Sequence, residues 1–204
     1  MEKIIIQQNS HWEGKTYKGL LQRSVINDLL RKLEMRHIQV LTGIRRCGKS
    51  SIFRLLINEL MKEHDPKTIL SLNMDDPMFY FVWENPAALY SLVETAEKIT
   101  GVKVRYLFLD EVQVVARWEN FVKSTYDSEI FKKIFVTGSN SSLLDTEYST
   151  LLSGRYFVDK INPYSLKELF ANRGITDYYS LIKNKVTALQ IVDECLEWGC
   201  FPET

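Results

Sequence analysis

The sequence predicts an α/β fold in which helices cover both faces of a parallel sheet. Short β-branched or apolar segments alternate along the chain with segments whose apolar residues recur at helical spacing. The strand-like segments are apolar almost throughout, which is typical of strands that are buried on both faces. Past Pro163 only helical patterns follow, so we place the end of the α/β core near Asn162.

Each predicted element is short and bounded by turn residues or prolines. The predicted strands cover residues 38–42, 68–73, 104–109, 133–137 and 156–161. The predicted helices cover residues 20–36, 50–63, 87–99, 118–126, 141–152, 165–171 and 186–198. The first 20 residues are polar and look irregular, so no helix or strand is predicted there.

Composition excludes several classes of protein. The chain has 204 residues, and its 26 Lys+Arg balance 26 Asp+Glu, which excludes a polycation that binds nucleic acid by charge alone. The sequence contains no run of about 18 apolar residues, so no membrane span is predicted. Polar residues interrupt the N-terminus too early for a signal peptide. Three cysteines, Cys47, Cys195 and Cys200, do not make a disulfide framework. We therefore expect a cytoplasmic protein with no membrane partner.

A phosphate-binding motif lies between the first predicted strand and the next helix. It reads Gly43-Ile44-Arg45-Arg46-Cys47-Gly48-Lys49-Ser50, which fits GxxxxGK[ST], and we include Ser51 with it. The two glycines let the backbone wrap closely around phosphate oxygens. Lys49 is expected to reach the β- and γ-phosphates, and the Ser50 hydroxyl to coordinate Mg²⁺. Arg45 and Arg46 either add positive potential near the phosphates or are solvated loop cations.

Two carboxylates, Asp110 and Glu111, follow the apolar segment 104–109. At such a strand end in phosphate-loop proteins the aspartate holds Mg²⁺ through water, and a neighbouring carboxylate can orient and deprotonate an attacking water. The alternative is a strand that simply reaches solvent, but the phosphate-binding motif upstream favours the metal site. The acid pair favours hydrolysis, and ATP is favoured because the sequence has no Asn-Lys-x-Asp guanine motif.

Ser139 and Asn140 follow the next predicted strand. A short polar side chain at this place could hydrogen-bond the γ-phosphate or the attacking water, and the spacing does not separate the two candidates. The alternative interpretation is a polar turn that caps the helix predicted to begin near Ser141.

Taken together, these motifs resemble those of AAA+ ATPases, and more narrowly a bacterial and archaeal family of ATP-binding proteins with a GxRRxGKS/T loop. The other matching segments are residues 107–113 (LFLDEVQ), 118–119 (WE), 136–139 (VTGS), 152–155 (LSGR), 163–169 (PYSLKEL) and 199–203 (GCFPE). They occur in order from about Ile38 to the end of the sequence, which makes the resemblance far more specific than the phosphate loop alone.

The resemblance implies a P-loop NTPase sheet of five strands in the order 5-1-4-3-2, followed by a small helical lid. It implies Mg²⁺-dependent ATP hydrolysis, with residues 1–36 as an N-terminal segment and amphipathic helix, 37–162 as the ATPase core and 163–204 as the lid. In AAA+ proteins an arginine near the end of the core commonly acts in trans on a neighbour's ATP. Arg155, in the SGR match, is the candidate for this role, and the alternative is a structural ion pair.

Two departures from the family pattern bear on function. Cys200 replaces the second glycine of the usual Gly-Gly-Phe-Pro, and family members usually continue into a further C-terminal domain, whereas this sequence stops at Thr204. A truncated chain and a naturally short one both stay open. So do three functions: an ATPase coupled to a conformational change, a slow nucleotide switch that controls an attached effector, and an ATPase that serves DNA handling or defence. A homo-oligomer and a nucleic-acid partner are left undecided.

Overall fold

One sheet of five parallel strands organises the protein, whose computed structural model describes residues 1–139 and 151–202. The strands are β1 (Ile38–Gly43), β2 (Ile69–Asn73), β3 (Tyr106–Asp110), β4 (Lys133–Ser139) and β5 (Tyr156–Ile161). Their spatial order is β2-β3-β4-β1-β5, and every neighbouring pair is parallel. The predicted fold class and strand order are therefore confirmed.

Helices lie between successive strands from β1 to β4, because parallel neighbours need crossover connections. The described helices are α1 (Glu2–Gln8), α2 (Val25–Arg31), α3 (Lys49–Leu60), α4 (Tyr80–Trp83), α5 (Ala88–Thr100), α6 (Trp118–Asp127), α7 (Leu166–Asn172), α8 (Tyr178–Lys183) and α9 (Lys185–Trp198). The described residues also form four single 3₁₀ turns, at Ser10–Glu13, Pro66–Thr68, Pro77–Phe79 and Val112–Val114. None of the helices among these residues is long and apolar enough to cross a membrane.

The hydrophobic core lies on both faces of the sheet, as the continuous apolar strands predict. Successive residues of β3 alternate between the two faces: Leu107 and Leu109 belong to the cluster that includes α5 and α6, whereas Phe108 belongs to the cluster that includes α2 and α3. The rings of Phe108 and Phe135 stack with centroids 4.4 Å apart. Both sides of the sheet are thus fixed, which holds the carboxyl ends of the strands in register at one edge.

The N-terminal segment is ordered, which corrects the expectation that it is irregular. Ile5 of α1 is fully buried in the core. The side chains of Gln8, Asn9, His11 and Trp12 then form hydrogen bonds to the free edge of β2. Asn9, for example, accepts from the Ser71 N–H at 2.7 Å and donates to the Ser71 carbonyl at 2.9 Å. These tertiary contacts order a segment that is too short to show a helical period.

Two further elements differ from the prediction. The helix predicted over residues 20–36 is confined to α2, because Gln22, Arg23 and Ser24 form hydrogen bonds to α7 instead of continuing a helix. The helix α8 was not predicted. The helix predicted over residues 141–152 lies almost entirely outside the described residues, and the division at residues 36 and 162 stays a prediction.

Candidate nucleotide site

The phosphate loop joins the end of β1 to the start of α3, and its backbone requires glycine at two positions. A Cβ on Gly43 would collide with the carbonyl oxygen of Ile161 in β5 and would lie 2.6 Å from the Cys47 Sγ. Gly48 has φ +96°, in the left-handed region that favours glycine, and a Cβ there would lie 2.9 Å from the Pro202 Cγ. Neighbouring chain segments therefore approach the loop too closely for any side chain at these places.

The middle of the loop turns tightly between these glycines. The Cys47 N–H donates to the Ile44 carbonyl at 3.3 Å, and Arg46 has a left-handed φ of +67°. Ile44, Arg45 and Arg46 are exposed, whereas the Cys47 side chain is fully buried. Burial raises the pKa of the Cys47 thiol, so this residue fills space as a neutral side chain.

Lys49, the first residue of α3, holds its ammonium at the mouth of the loop. The side chain is buried to 6% exposure, and its Nζ donates to the carbonyls of Gly43 at 3.3 Å and Ile44 at 3.4 Å. The same Nζ lies 3.9 Å from Oε1 of Glu111. A residue from the loop and one from the end of β3, far apart in sequence, thus meet around one point.

Asp110 lies beside them, at the end of β3. Its carboxylate accepts hydrogen bonds from the hydroxyls of Ser50 and Thr137. Burial raises the pKa of Asp110, and these two hydrogen bonds and the charge of Lys49 oppose that rise. A buried carboxylate next to a serine hydroxyl offers the hard oxygen ligands that Mg²⁺ prefers, so the residues present fit that ion.

Glu111 follows with an unusual backbone. Its φ is +51°, and its N–H donates to Thr137 Oγ1 at 2.9 Å. Its Oε2 accepts a hydrogen bond of 2.6 Å from the Gln113 side chain, and the glutamate remains 30% exposed. Glu111 is therefore held at the rim of the site, where a water molecule can reach it.

A family of known proteins matches the part of the chain that holds the loop and the acid pair. The family described as "AAA domain" matches residues 35–170, which is more than half of the chain. The chain belongs to this family. Membership of this family supports nucleotide binding by the protein.

Relatives and solved structures extend the comparison. The chain is 34% identical over 183 residues to the uncharacterized protein MJ1544 of Methanocaldococcus jannaschii, a match that covers 88% of this chain and 39% of that protein. The chain spans less than half the length of the curated relatives it matches. A Haemophilus influenzae protein is 28% identical over 187 residues, covering 91% of this chain and 44% of that protein.

Two solved structures show the shared fold. S. cerevisiae Hsp104, in its extended complex with casein, has a TM-score of 0.62 at 15% identity, over 96% of this chain and 38% of that one. AMPPCP-bound DnaA from Aquifex aeolicus has a TM-score of 0.50 at 18% identity, over 85% of this chain and 54% of that one. Identities this low establish the architecture of the AAA domain and nothing finer.

The other predicted site residues of the AAA domain lie at different places. Ser139 ends β4 and pairs in register with Gly43, so its backbone lies beside the phosphate loop. Asn140 lies outside the described residues. Arg155 lies at the opposite edge of the sheet, where its carbonyl accepts from the N–H of Ile38 at 2.8 Å. Its side chain donates to Asp127 at 2.9 Å, so Arg155 is remote from this chain's own site, and an action in trans stays a prediction.

Sequence reasoning missed three residues around the site: Thr137, which bridges the acid pair; Arg23, which bonds the phosphate loop; and Pro202, which lies against Gly48. Thr137 carried a signal, since it is a polar residue in an otherwise apolar strand interior beside the strand that ends in Asp110. Arg23 carried none, because it lies within the segment predicted as an amphipathic helix, residues 20–36, and its partners are distant in sequence.

Proposed function

We propose that the protein hydrolyses ATP with Mg²⁺ and couples hydrolysis to a conformational change. The observation that carries this proposal is the meeting of Lys49, Asp110 and Glu111 at the end of the phosphate loop. A loop that cradles phosphate, a buried carboxylate and a second, partly exposed carboxylate are the groups that this reaction needs.

Each residue of the site would have a distinct task. Lys49 would release its contacts to the Gly43 and Ile44 carbonyls and bind the β- and γ-phosphates. Ser50 and Asp110 would hold Mg²⁺, which when bound neutralises charge on the phosphate oxygens. Glu111 would accept a proton from the attacking water at Oε1, while Gln113 holds the other carboxylate oxygen.

The adenine base of ATP would occupy a cavity of about 650 Å³ that adjoins the phosphate loop at Pro202. The cavity lies between the N-terminal segment, which contributes Leu21, and the helical C-terminal region, which contributes Tyr164, Trp198 and Pro202. The lining is mixed, since Asn172, Arg173 and Glu194 lie beside these apolar and aromatic side chains. Its apolar part offers the flat contact that a planar base needs, and its polar part offers hydrogen-bonding groups. The nucleotide would thus contact the segment before α2 and the helical C-terminal region.

The test uses Glu111→Gln, which removes the proposed general base but keeps the shape of the side chain. We expect this variant to bind ATP like the wild type while its turnover falls by about 10²- to 10⁴-fold, the contribution of general base catalysis. The measurements are phosphate release and binding of a fluorescent ATP analogue. Lys62→Ala is the matched control, since Lys62 is 65% exposed and pairs only on the surface with Glu59. Unchanged turnover in Glu111→Gln would contradict the assignment of Glu111 as the general base.

A second candidate function, a slow nucleotide switch, is favoured by one observation. Glu111 is engaged both by Gln113 and by Lys49, so the proposed base is held in contacts that activation of water must share or break. Tight nucleotide retention with no detectable turnover in the wild type would support the switch, and multiple turnovers would support the ATPase. A role in DNA handling predicts that DNA stimulates turnover.

A further inference from the structure

One buried guanidinium, that of Arg23, joins three separate parts of the chain. Its Nη1 donates to the Cys47 carbonyl in the phosphate loop at 3.2 Å, and its Nη2 donates to the Asn162 carbonyl just after β5 at 2.7 Å. Its Nε donates to Oε1 of Glu168 in α7 at 3.2 Å. The residue is only 7% exposed, so these bonds form away from bulk water.

The contact with the Cys47 carbonyl sets the direction of a peptide group in the loop. In a trans peptide the C=O and the following N–H point in opposite directions. A carbonyl of Cys47 that faces Arg23 therefore turns the Gly48 N–H away from Arg23, towards the opposite side of the loop. In phosphate loops, backbone N–H groups of this kind bind the phosphate oxygens.

The contact with Glu168 ties this loop peptide to α7. Oε1 of Glu168 also accepts from the N–H and hydroxyl of Ser24, both at 2.9 Å, and Oε2 accepts from the N–H of Ser165 at 3.0 Å. Although burial alone would raise the pKa of Glu168, these hydrogen bonds and Arg23 lower it to about 2. The carboxylate is thus charged at neutral pH, and its bond to Arg23 is charge-assisted on both sides.

Arg23 is also fixed from the side. The Arg23 Cζ lies 4.4 Å from the centre of the Tyr164 ring, a distance typical of a cation–π contact. Its neighbour Gln22 exchanges two backbone hydrogen bonds with the Asn172 side chain, at 2.8 and 3.0 Å. Segment 22–24 therefore cannot shift along α7 without breaking several bonds, and the guanidinium has one preferred position beneath the loop.

We propose that Arg23 is a positioning residue that holds the phosphate loop in its nucleotide-binding shape and couples that shape to α7 through Glu168. This proposal rests on the proposed nucleotide binding and goes beyond it, because it assigns control of the loop to a residue outside the motif. Movement of α7 pulls on the same guanidinium that orients the Cys47–Gly48 peptide, so the helical C-terminal region and the phosphate site respond together.

The experiment measures Kd for ADP with Mg²⁺ in Arg23→Gln, Arg23→Lys and Glu168→Gln, at a temperature well below the unfolding transition of each variant. We expect Arg23→Gln to weaken ADP binding about tenfold or more, as removal of a charged hydrogen bond does. Arg23→Lys recovers part of the affinity, because an ammonium cannot bond three acceptors in the fork geometry of a guanidinium. The matched control is Arg31→Gln, since Arg31 is 79% exposed, and it keeps wild-type affinity.

Glu168→Gln separates coupling from simple support of the fold. It leaves the Nη contacts of Arg23 in place, and we expect roughly three- to tenfold weaker ADP binding. Added to Arg23→Gln, it should cause no further loss of affinity, because both changes act through one guanidinium. Additive losses would overturn the coupling. A lower melting temperature with unchanged Kd in Arg23→Gln would overturn the positioning role.

Two further outcomes keep the result decisive. If Arg23→Gln does not fold, as judged by circular dichroism, Arg23→Lys carries the test, and wild-type affinity in that variant overturns the proposal. If the wild type itself binds no nucleotide, the proposed function fails as a whole. Wild-type binding together with unchanged affinity in a folded Arg23 variant defeats only the role of Arg23.

Discussion

Thr137 offers a sharp test of how the acid pair is held. Its hydroxyl donates to the Asp110 carboxylate and accepts from the Glu111 N–H. Thr137→Val keeps the shape of the side chain and removes both bonds. The residue is fully buried, so water cannot readily replace the hydroxyl.

The expected loss of stability can be worked from these two bonds. A hydrogen bond to a charged group contributes about 1.5–3 kcal/mol, and a buried N–H left without a partner costs about 1–3 kcal/mol. Because neighbouring effects are not additive, we expect Thr137→Val to lower the free energy of unfolding by roughly 2–4 kcal/mol. It should also raise the pKa of Asp110 further, since burial raises that pKa already and the Thr137 bond opposes the rise.

The assay is equilibrium urea unfolding at pH 7, with ATP turnover measured in parallel. Thr137→Ser is the control, because it keeps the hydroxyl and loses only a methyl group. The reasoning is refuted if Thr137→Val and Thr137→Ser unfold within about 0.5 kcal/mol of each other, for then the hydroxyl does not support the acid pair.

Two other predictions concern the phosphate loop and the N-terminal segment. Gly43→Ala should abolish ADP binding and cost about 1–3 kcal/mol of stability by overpacking, because the new Cβ would overlap the Ile161 carbonyl oxygen. ADP titration and urea unfolding measure the two effects. Normal ADP binding by this variant would contradict the close approach of β5 to the loop. Burial lowers the pKa of His11 from its ordinary 6.5 to about 4 although its bond to Ile69 opposes this. A folded-state pKa below the unfolded one means that stability is complete above pH 6.5 and falls towards pH 4, by at most about 3 kcal/mol at 1.36 kcal/mol per pH unit. Unfolding curves at pH 7 and pH 4.5 test this, with His11→Gln expected to lose that part of the pH dependence.

The sheet was predictable because its signals are local. Runs such as residues 106–109 are apolar on both faces, and the loop motif fixes where β1 ends and α3 begins. The strand order followed from resemblance rather than from any property of a single strand. The meeting of Lys49, Asp110 and Glu111 was predictable from the positions of their motifs, because the carboxyl ends of parallel strands lie at one edge of the sheet.

The remaining features depend on contacts between distant residues. Arg23 contacts Asn162 and Glu168, which lie 139 and 145 residues away, and nothing in residues 20–36 indicates these partners. The N-terminal segment is ordered by side chains that bond strand β2, and such bonds leave no periodicity in the sequence. Arg155 was assigned by resemblance, and the structure places it with Asp127 on the side of the sheet away from the phosphate loop.

The hydrogen bonds along β2 also limit how this protein can associate. A border strand normally offers unpaired amides to any passing chain. Here side chains of the N-terminal segment bond the backbone of β2. The bonded groups are the Asn73 N–H, the Ser71 N–H and carbonyl, and the Ile69 carbonyl, and the side chains are those of Gln8, Asn9, His11 and Trp12. This flank is consequently closed to strand exchange and fibril-like stacking, and copies of the protein would have to join through surfaces other than this one.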